Sequence, residues 1–311
     1  MTFSFDSEIA ALFARMDGTD GMPLPARDDV GTLRKSAHES LAAAEALLPL
    51  DPEVKRRDLL VPTVDGSEIL ARWYERERPG SALVYFHGGG MVAGTVDLYD
   101  RFVANYVSQA GVPVLSVDYR YAPEHPETTP AEDGFAALAW LVERADDFGV
   151  DSERIAIIGD SGGGGVAAGV GIAARDRGVT LARQILIYPM LDDRNLTPDP
   201  ELAPFAMWNW DNNYTGWHAL LGEQLAGDDV SPLSSPARLA NFRGLAPAYI
   251  DVGELDIFRD ESIRYALELY KAGVPTELHV RPGSPHGFDR LGDIEVARRS
   301  WEDRLRVIRE L

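Results

Sequence analysis

The chain has 311 residues, a formal net charge of −20 and no cysteine. The absence of cysteine excludes disulfides, thiolate catalysis and cysteine-based metal sites, and the negative charge argues against nucleic acid or an anionic membrane as a partner. A hydrophobic fraction of 45% can form the core of one large α/β domain or of two small ones.

The first residues of the chain, from Met1 to Asp6, have no basic region and no long apolar stretch, so we expect no signal peptide. No uninterrupted apolar run in the sequence is long enough to span a bilayer. We therefore expect a cytoplasmic protein that does not associate with a membrane.

The N-terminal part of the chain is predicted to be helical and to lie outside the sheet. Asp6 or Ser7 can cap a first helix over 8–16, which a loop over 18–25 follows. An amphipathic stretch rich in alanine, leucine and glutamate then predicts a second helix over 32–48.

From residue 57 onward the pattern predicts a sheet. Asp65 and Gly66 form a strong hairpin-turn dipeptide between strands predicted over 57–62 and 68–74. Further strands are predicted over 83–86, 112–117, 155–158, 184–188, 249–252 and 276–280, and helices over 131–143, 163–176, 261–272 and 294–310. Apolar strands separated by helices indicate a mostly parallel sheet covered on both faces, with the hairpin as an antiparallel edge.

Residues 191–240 interrupt this alternation, because they contain no convincing strand. Three of the six tryptophans lie here, namely Trp208, Trp210 and Trp217. A long aromatic insertion in a regular α/β domain favours a lid or a pocket wall. The alternative, that the tryptophans anchor the insertion to the core, stays open beside it.

The pentapeptide Gly159-Asp160-Ser161-Gly162-Gly163 directly follows the apolar run 155–158. A serine hydroxyl becomes a nucleophile only when it is exposed and close to a base, and a tight strand-to-helix turn lined by glycines exposes it. The same letters surround the nucleophile of chymotrypsin-like proteases, and a glycine-rich turn after a strand can also bind a nucleotide. The pentapeptide alone therefore leaves three interpretations open.

A glycine triplet follows His87, directly after the predicted strand 83–86. Backbone N–H groups in such a loop can point into a cavity and stabilise the oxyanion of an acyl-transfer intermediate. We assign this role to the amides of Gly88 and Gly89, together with the amide of Gly162.

Candidate acids follow the predicted strand 249–252. Asp256 lies just past its carboxyl end, where the active sites of α/β folds collect. Glu254 is the second candidate. We expect Asp260 and Glu261 to cap the next helix, because they lie in its first turn.

The base is sought among six histidines. His286 lies in a glycine- and proline-rich loop after the last predicted strand, from which it can reach Ser161. His218, in the insertion, is a candidate substrate contact, whereas His38 and His279 are expected to be structural or solvent-facing. The resulting order of serine, acid and histidine differs from the His, Asp, Ser order of chymotrypsin-like proteases.

A nucleotide site is also disfavoured, because the predicted strand 184–188 does not end in the ribose-binding acid that such a site requires. The segment Asp118–Pro126 is a proline-bounded turn with several charges, and we expect it to have a structural role.

Taken together, these motifs resemble those of the hormone-sensitive-lipase-like, or bacterial family IV, carboxylesterases of the α/β-hydrolase superfamily. The matching segments are His87–Gly90, Asp118–Pro126, Gly159–Gly163, Asp256 with Asp260 and Glu261, and His286–Phe288. The sequence departs from the family pattern at two positions. Members usually carry alanine where this chain has Gly162, and they often carry asparagine where it has Gly165.

The resemblance implies the α/β-hydrolase fold, with a mostly parallel central sheet, an antiparallel edge, helices on both faces and a helical cap. It implies that residues 1–50 and 191–240 form the cap and that residues 51–190 and 241–311 form the catalytic domain. It also implies that a homodimer forms through the last strands and helix.

The function expected is that of a serine carboxylesterase that acts on short- to medium-chain acyl or aryl esters. Ser161 attacks, His286 transfers the proton and Asp256 orients the histidine, and no metal or cofactor is required. The predicted substrate-binding residues are Met91, Trp208, Trp210, Tyr214 and Trp217. A lactonase or deacetylase with the same triad is an alternative, and a non-catalytic small-molecule receptor is an alternative from another class.

Overall fold

The structure, a computed structural model, describes residues 3–16, 25–77 and 80–311. The strands in these ranges are β1 (Lys55–Pro62), β2 (Glu68–Glu75), β3 (Ala82–Phe86), β4 (Val114–Val117), β5 (Ile155–Asp160), β6 (Gln184–Ile187), β7 (Ala248–Gly253) and β8 (Thr276–Arg281). The α-helices are α1 (Ser7–Met16), α2 (Val30–Leu47), α3 (Asp100–Ala110), α4 (Thr129–Glu143), α5 (Ala145–Phe148), α6 (Gly162–Asp176), α7 (Trp210–Leu221), α8 (Arg259–Lys271) and α9 (Glu295–Arg309).

The eight strands form one sheet in the order β1-β2-β4-β3-β5-β6-β7-β8. Strand β2 is antiparallel to both of its neighbours, and all the other pairings are parallel. The predicted mostly parallel sheet with an antiparallel edge is therefore confirmed. Parallel strands present their carboxyl ends at one edge, so the loops after β3, β5, β7 and β8 meet there.

Both faces of the sheet are covered, and strand β3 shows how the side chains divide between them. Val84 and Phe86 pack in one buried cluster with helices α4 and α6. Leu83 and Tyr85 point to the opposite face and pack with helices α3 and α9. Because both sides are buried, the strand is apolar along its whole length and shows no alternation.

Helix α6 approaches the sheet unusually closely at its N-terminus. A Cβ atom added at Gly163 would lie 2.2 Å from the carbonyl oxygen of Phe86, closer than any side chain can come. The glycine at this position therefore allows the start of α6 to sit directly above the end of β3.

The sequence did not predict three of these α-helices, namely α3, α7 and the short α5. Helix α3 buries Phe102, Val103, Tyr106 and Val107, which have helical spacing, in a stretch for which no element was predicted. Helix α7 lies in the insertion and contains Gly216, so its intrinsic helix propensity is low and tertiary packing stabilises it.

At the N-terminus, Asp6 rather than Ser7 accepts a hydrogen bond from the amide of Glu8, at 2.8 Å. The second helix begins at Val30, and the Asp29 side chain caps it through the amide of Thr32 at 3.0 Å. The loop predicted over 18–25 falls almost wholly outside the described residues.

Helix α2 is held to the catalytic domain by Arg34. Its guanidinium donates to both carboxylate oxygens of Glu124, at 2.8 and 2.7 Å. It also donates to the carbonyl oxygens of Val92 and Ala122. The segment Asp118–Pro126 therefore supplies a partner for the N-terminal helix.

The pairing with Arg34 lowers the pKa of Glu124 from 4.5 to about 2. A lowered pKa in the folded state stabilises the fold above the ordinary pKa, and this stabilisation is lost as the pH falls towards 2. We therefore expect Glu124→Gln to lower the free energy of unfolding at pH 7 by at most about 1 kcal/mol, because Glu124 is half exposed. The difference from the wild type should shrink between pH 4.5 and pH 2, as measured by urea unfolding.

Glu223→Gln is the matched control, since Glu223 is exposed and forms no ion pair within the described ranges. A loss in Glu124→Gln that is the same at pH 3 as at pH 7 would contradict the coupling to Arg34.

Candidate active site

Ser161 lies on the turn between β5 and α6. Its φ of 58° is in the left-handed region, a strained conformation for a residue with a side chain. A Cβ atom at Gly159 would lie 2.1 Å from the carbonyl oxygen of Gly163, so glycine is required there for the turn to close. The side chain of Ser161 is thereby presented at the carboxyl edge of the sheet, as the pentapeptide predicted.

His286 and Asp256 form a hydrogen-bonded chain with this serine. His286 Nε2 is 3.0 Å from Ser161 Oγ, and His286 Nδ1 is 2.7 Å from Asp256 Oδ2. The second oxygen of Asp256 accepts the amide of Phe258 at 2.9 Å. The rings of Phe258 and Tyr188 pack against the imidazole, with centroids 5.2 and 4.7 Å away. This arrangement can remove the serine proton and stabilise the resulting imidazolium.

The other carboxylates near the end of β7 do not reach His286. Glu254 accepts the amide of Gly283 at 2.8 Å. Asp251 is buried within the strand and pairs with Arg281 at 2.8 Å. Of the two candidate acids, Asp256 is therefore the one whose carboxylate bonds the histidine.

Glu261 does not cap helix α8 as expected. It is buried, and it accepts the amides of Leu191 and Asp192 at 2.6 and 3.2 Å and the side-chain amide of Asn195 at 2.9 Å. Burial raises the pKa of Glu261 well above its usual range. The residue therefore fixes the start of the insertion to the catalytic domain, while the neighbouring Asp260 pairs at the surface with a neighbour on its own helix.

The loop after β3 provides free backbone donors next to the serine. Within residues 80–311, the amides of Gly89, Gly90 and Gly162 have no hydrogen-bond acceptor. A Cβ atom at Gly162 would lie 2.8 Å from the nitrogen of Gly90, so these two amides are neighbours. Gly88 instead packs against the hydroxyl of Tyr99, since a Cβ atom there would lie 2.7 Å from that oxygen. The geometry therefore favours Gly90, and not the predicted Gly88, as the partner of Gly89.

His87, at the start of this loop, is fully buried and stacks on the Tyr119 ring at 4.4 Å. Burial lowers its pKa. Tyr119 also donates its hydroxyl to the carbonyl oxygen of His87 at 2.6 Å, and the Asp118 carboxylate accepts the amide of Val96 at 2.9 Å. The segment 118–126 thus supports the glycine loop from behind, which agrees with the structural role expected for it.

Ser161 opens into a cavity of about 360 Å³. One wall is a single face of helix α2, formed by Leu33, Ser36, Ala37, Ser40, Leu41 and Ala44. Met207 and Trp208 of the insertion and Leu291 complete the apolar part, and Tyr99, Asp160, Tyr188 and Arg290 form the polar end. The α2 wall was missed by the sequence analysis, although the spacing of its small residues is helical.

Among the five predicted substrate-binding residues, Trp208 lines this cavity, and the other four lie outside its lining. Met91, which directly follows the glycine triplet, is buried. Trp217 is fully buried on the inner side of α7, and the indole N–H of Trp210 bonds the side chain of Asn195 at 3.0 Å. These tryptophans anchor the insertion, which was the alternative that the sequence left open.

The roles predicted for Tyr214 and His218 also need correction, because both residues contact the N-terminal arm and do not line the cavity. The guanidinium of Arg27 lies 3.8 Å above the Tyr214 ring, and His218 Nδ1 is 2.5 Å from Asp28 Oδ1. The two aromatic rings stack on each other at 5.3 Å. This cluster holds the arm against helix α7.

Comparisons with known proteins agree with this geometry. A family model described as the alpha/beta hydrolase fold matches residues 83–290. The chain is 34% identical over 244 residues to ethyl acetate hydrolase of Pseudomonas putida, covering 76% of each chain. It is 37% identical over 248 residues to Esterase LipI of Mycobacterium tuberculosis, covering 77% of each. The solved structure of a bacterial heroin esterase has a TM-score of 0.89 and 35% identity, and covers 99% of this chain and 98% of that one.

The chain therefore belongs to the α/β hydrolases. Within them it is a member of the hormone-sensitive-lipase-like family and a carboxylic ester hydrolase. The names of its relatives favour a carboxylesterase over the lactonase, deacetylase and receptor alternatives. Among the helices in the described ranges, none has the length and apolar character needed to cross a membrane.

Proposed function

We propose that this carboxylic ester hydrolase acts through an acyl-enzyme intermediate on Ser161. The observation that carries the proposal is the hydrogen-bonded chain from Ser161 through His286 to Asp256. His286 accepts the serine proton as Oγ attacks the ester carbonyl carbon, and it then protonates the leaving alcohol. A water molecule repeats the sequence and releases the acid.

The oxyanion of each tetrahedral intermediate is proposed to be held by the amides of Gly89, Gly90 and Gly162. These N–H groups are fixed before the reaction begins, so they stabilise the negative charge without reorganisation. Their lack of other acceptors supports this role.

If different substrates form the same acyl-enzyme, the ratio of their products can be predicted whichever step limits the rate. Different aryl acetates in the presence of methanol should give the same ratio of methyl acetate to acetate, because one intermediate partitions between two acceptors. A ratio that varies with the leaving group would exclude the common intermediate.

The substrates proposed are short- to medium-chain acyl esters and aryl esters. The cavity beside Ser161 is apolar over the α2 wall and Trp208, and its volume of about 360 Å³ suits a small ligand. We further propose that residues 1–50 and 191–240 form the cap over the catalytic domain. The support is that α2 and the residues just before α7 line the cavity, while the sheet supplies the serine.

The α2 wall sets the length of acyl chain that fits, and Ala37→Leu tests this. A leucine at this position would fill part of the cavity, so kcat/KM for p-nitrophenyl octanoate should fall by roughly tenfold relative to the acetate. Ala43→Leu is the matched control, since Ala43 is exposed on the same helix and does not line the cavity. An equal loss on both esters, or the same shift in both variants, would show that α2 does not limit chain length.

A homodimer through helix α8 and strand β8 is proposed. Ile263, Leu267 and Tyr270 form an exposed apolar stripe on α8, beside the edge strand of the sheet. Burying such a stripe against a second copy would remove apolar surface from water. Light scattering after size exclusion should give the dimer mass at micromolar concentration, and a monomer mass there would overturn the proposal.

A cytoplasmic location is also proposed, since the cysteine-free composition needs no oxidising compartment for folding. Recovery of the activity outside the cytoplasmic fraction would contradict it.

A further inference from the structure

Asp160, the residue directly before Ser161, is a buried carboxylate that the proposed mechanism does not use. Its Oδ2 atom accepts the hydroxyl of Tyr99 at 3.0 Å and the guanidinium of Arg290 at 3.1 Å. Its Oδ1 atom accepts the hydroxyl of Tyr85. A carboxylate with three donors in a buried site is held firmly in one orientation.

The glycine loop rests against this group. A Cβ atom added at Gly88 would lie 2.7 Å from Asp160 Oδ2 and 2.7 Å from the hydroxyl oxygen of Tyr99. The Gly88 backbone thus packs against both the carboxylate and the phenol, which are hydrogen-bonded to each other. The contact joins the loop after β3 to the residue that precedes the nucleophile.

The hydroxyl of Tyr99 can contact Asp160 and Gly88 at the same time. The phenol donates its one O–H to Asp160, and its oxygen lies against Gly88 at the same time. Burial raises the pKa of Tyr99, which keeps the donor proton in place. The Arg290 guanidinium lies 4.5 Å from the centroid of the ring and helps to fix its position.

We infer that Tyr99 is a positioning residue for ester hydrolysis, which ties Gly88 to Asp160 and thereby holds the Gly89 and Gly90 amides in register with Ser161. This inference rests on the proposed function of Ser161 and of the glycine amides. It does not make Tyr99 a catalytic residue, because the hydroxyl acts on the loop and not on the ester.

Tyr85 provides a matched control within the same site. Its hydroxyl donates to the other oxygen of Asp160, and the ring is as deeply buried as that of Tyr99. Tyr85→Phe therefore removes the same kind of hydrogen bond from the same carboxylate. It leaves the contact between Tyr99 and Gly88 in place.

The test compares Tyr99→Phe with Tyr85→Phe. We expect kcat for p-nitrophenyl acetate to fall by about tenfold in Tyr99→Phe, less than the loss from removing an oxyanion donor outright. KM should change by less than about twofold, and binding of a trifluoromethyl ketone, which mimics the tetrahedral intermediate, should weaken by about the same tenfold factor. Tyr85→Phe should keep kcat within about twofold of the wild type.

A second readout does not use activity. Hydrogen exchange of the peptide covering residues 87–91 should become faster in Tyr99→Phe and stay unchanged in Tyr85→Phe. Equal changes in kcat, inhibitor affinity and exchange for the two variants would overturn the inference and leave only a structural role for the tyrosines.

If Tyr99→Phe does not fold, Asp160→Asn takes its place, because it keeps the side-chain shape but weakens the acceptor for Tyr99. Its kcat should then fall at nearly constant KM, and an unchanged kcat would overturn the inference. Ser161→Ala separates this outcome from a failure of the proposed function. Retained activity in Ser161→Ala would show that Ser161 is not the nucleophile. If Ser161→Ala is inactive but Tyr99→Phe and Tyr85→Phe have the same kcat, only the positioning role of Tyr99 is contradicted.

Discussion

Replacing Ser161 by alanine is expected to lower kcat/KM for p-nitrophenyl acetate by at least roughly 10⁴-fold, because no acyl-enzyme can form without the hydroxyl. The fold should survive, since among the described residues the side-chain oxygen forms a hydrogen bond with His286 alone. Esterase assays measure the first effect, and circular dichroism with a thermal melt measures the second.

The control for this variant is Ser36→Ala. Ser36 also lines the cavity, yet it lies on helix α2 and is not bonded to the histidine. Its activity should stay within about threefold of the wild type, a loss of less than 1 kcal/mol. Full activity in Ser161→Ala would rule out the serine mechanism.

Replacing Asp256 by asparagine is expected to lower kcat by about 10⁴-fold. The carboxylate accepts the Nδ1 proton of His286 at 2.7 Å and so fixes the tautomer in which Nε2 can take the serine proton. An amide can present its NH₂ group to the ring and select the other tautomer, which leaves Nε2 protonated. Steady-state kinetics on the same aryl ester measure the loss.

Glu254→Gln is the matched control for Asp256→Asn. Glu254 was the second candidate acid, and it bonds the amide of Gly283 and not the histidine. Its loss of activity should be at least a hundredfold smaller than that of Asp256→Asn, a difference of more than about 2.7 kcal/mol. Losses of similar size in the two variants would show that Asp256 does not orient His286 for catalysis.

The arrangement of Ser161, Asp256 and His286 could be predicted from the sequence because each residue follows a recognisable strand. The carboxyl ends of parallel strands meet at one edge, so residues distant in the chain are placed together by the topology alone. The strands themselves were evident, since buried parallel strands are apolar along their whole length.

The oxyanion donors were only partly predictable, because a glycine triplet does not show which amide points where. The direction depends on backbone angles, such as the φ of 123° at Gly89 and 62° at Gly90. It also depends on Tyr99, which lies outside the motif and packs against Gly88. No local pattern indicates that contact.

The substrate pocket was the least predictable part. Aromatic residues in the insertion suggested a pocket wall, but which of them face the cavity depends on how helix α7 packs. Trp217 lies on the buried face of α7, and Tyr214 contacts the N-terminal arm. Both residues therefore hold the insertion in place. The wall that replaces them is the small-residue face of α2, far away in the chain.

The most direct test of the central claim is labelling with a serine-directed phosphonate, followed by intact-mass measurement and peptide mapping. We expect one phosphonyl group per chain, attached to Ser161, with loss of esterase activity in proportion to labelling and no label in Ser161→Ala. Attachment to a different residue, or ester hydrolysis by a protein that is fully labelled at Ser161, would exclude Ser161 as the nucleophile.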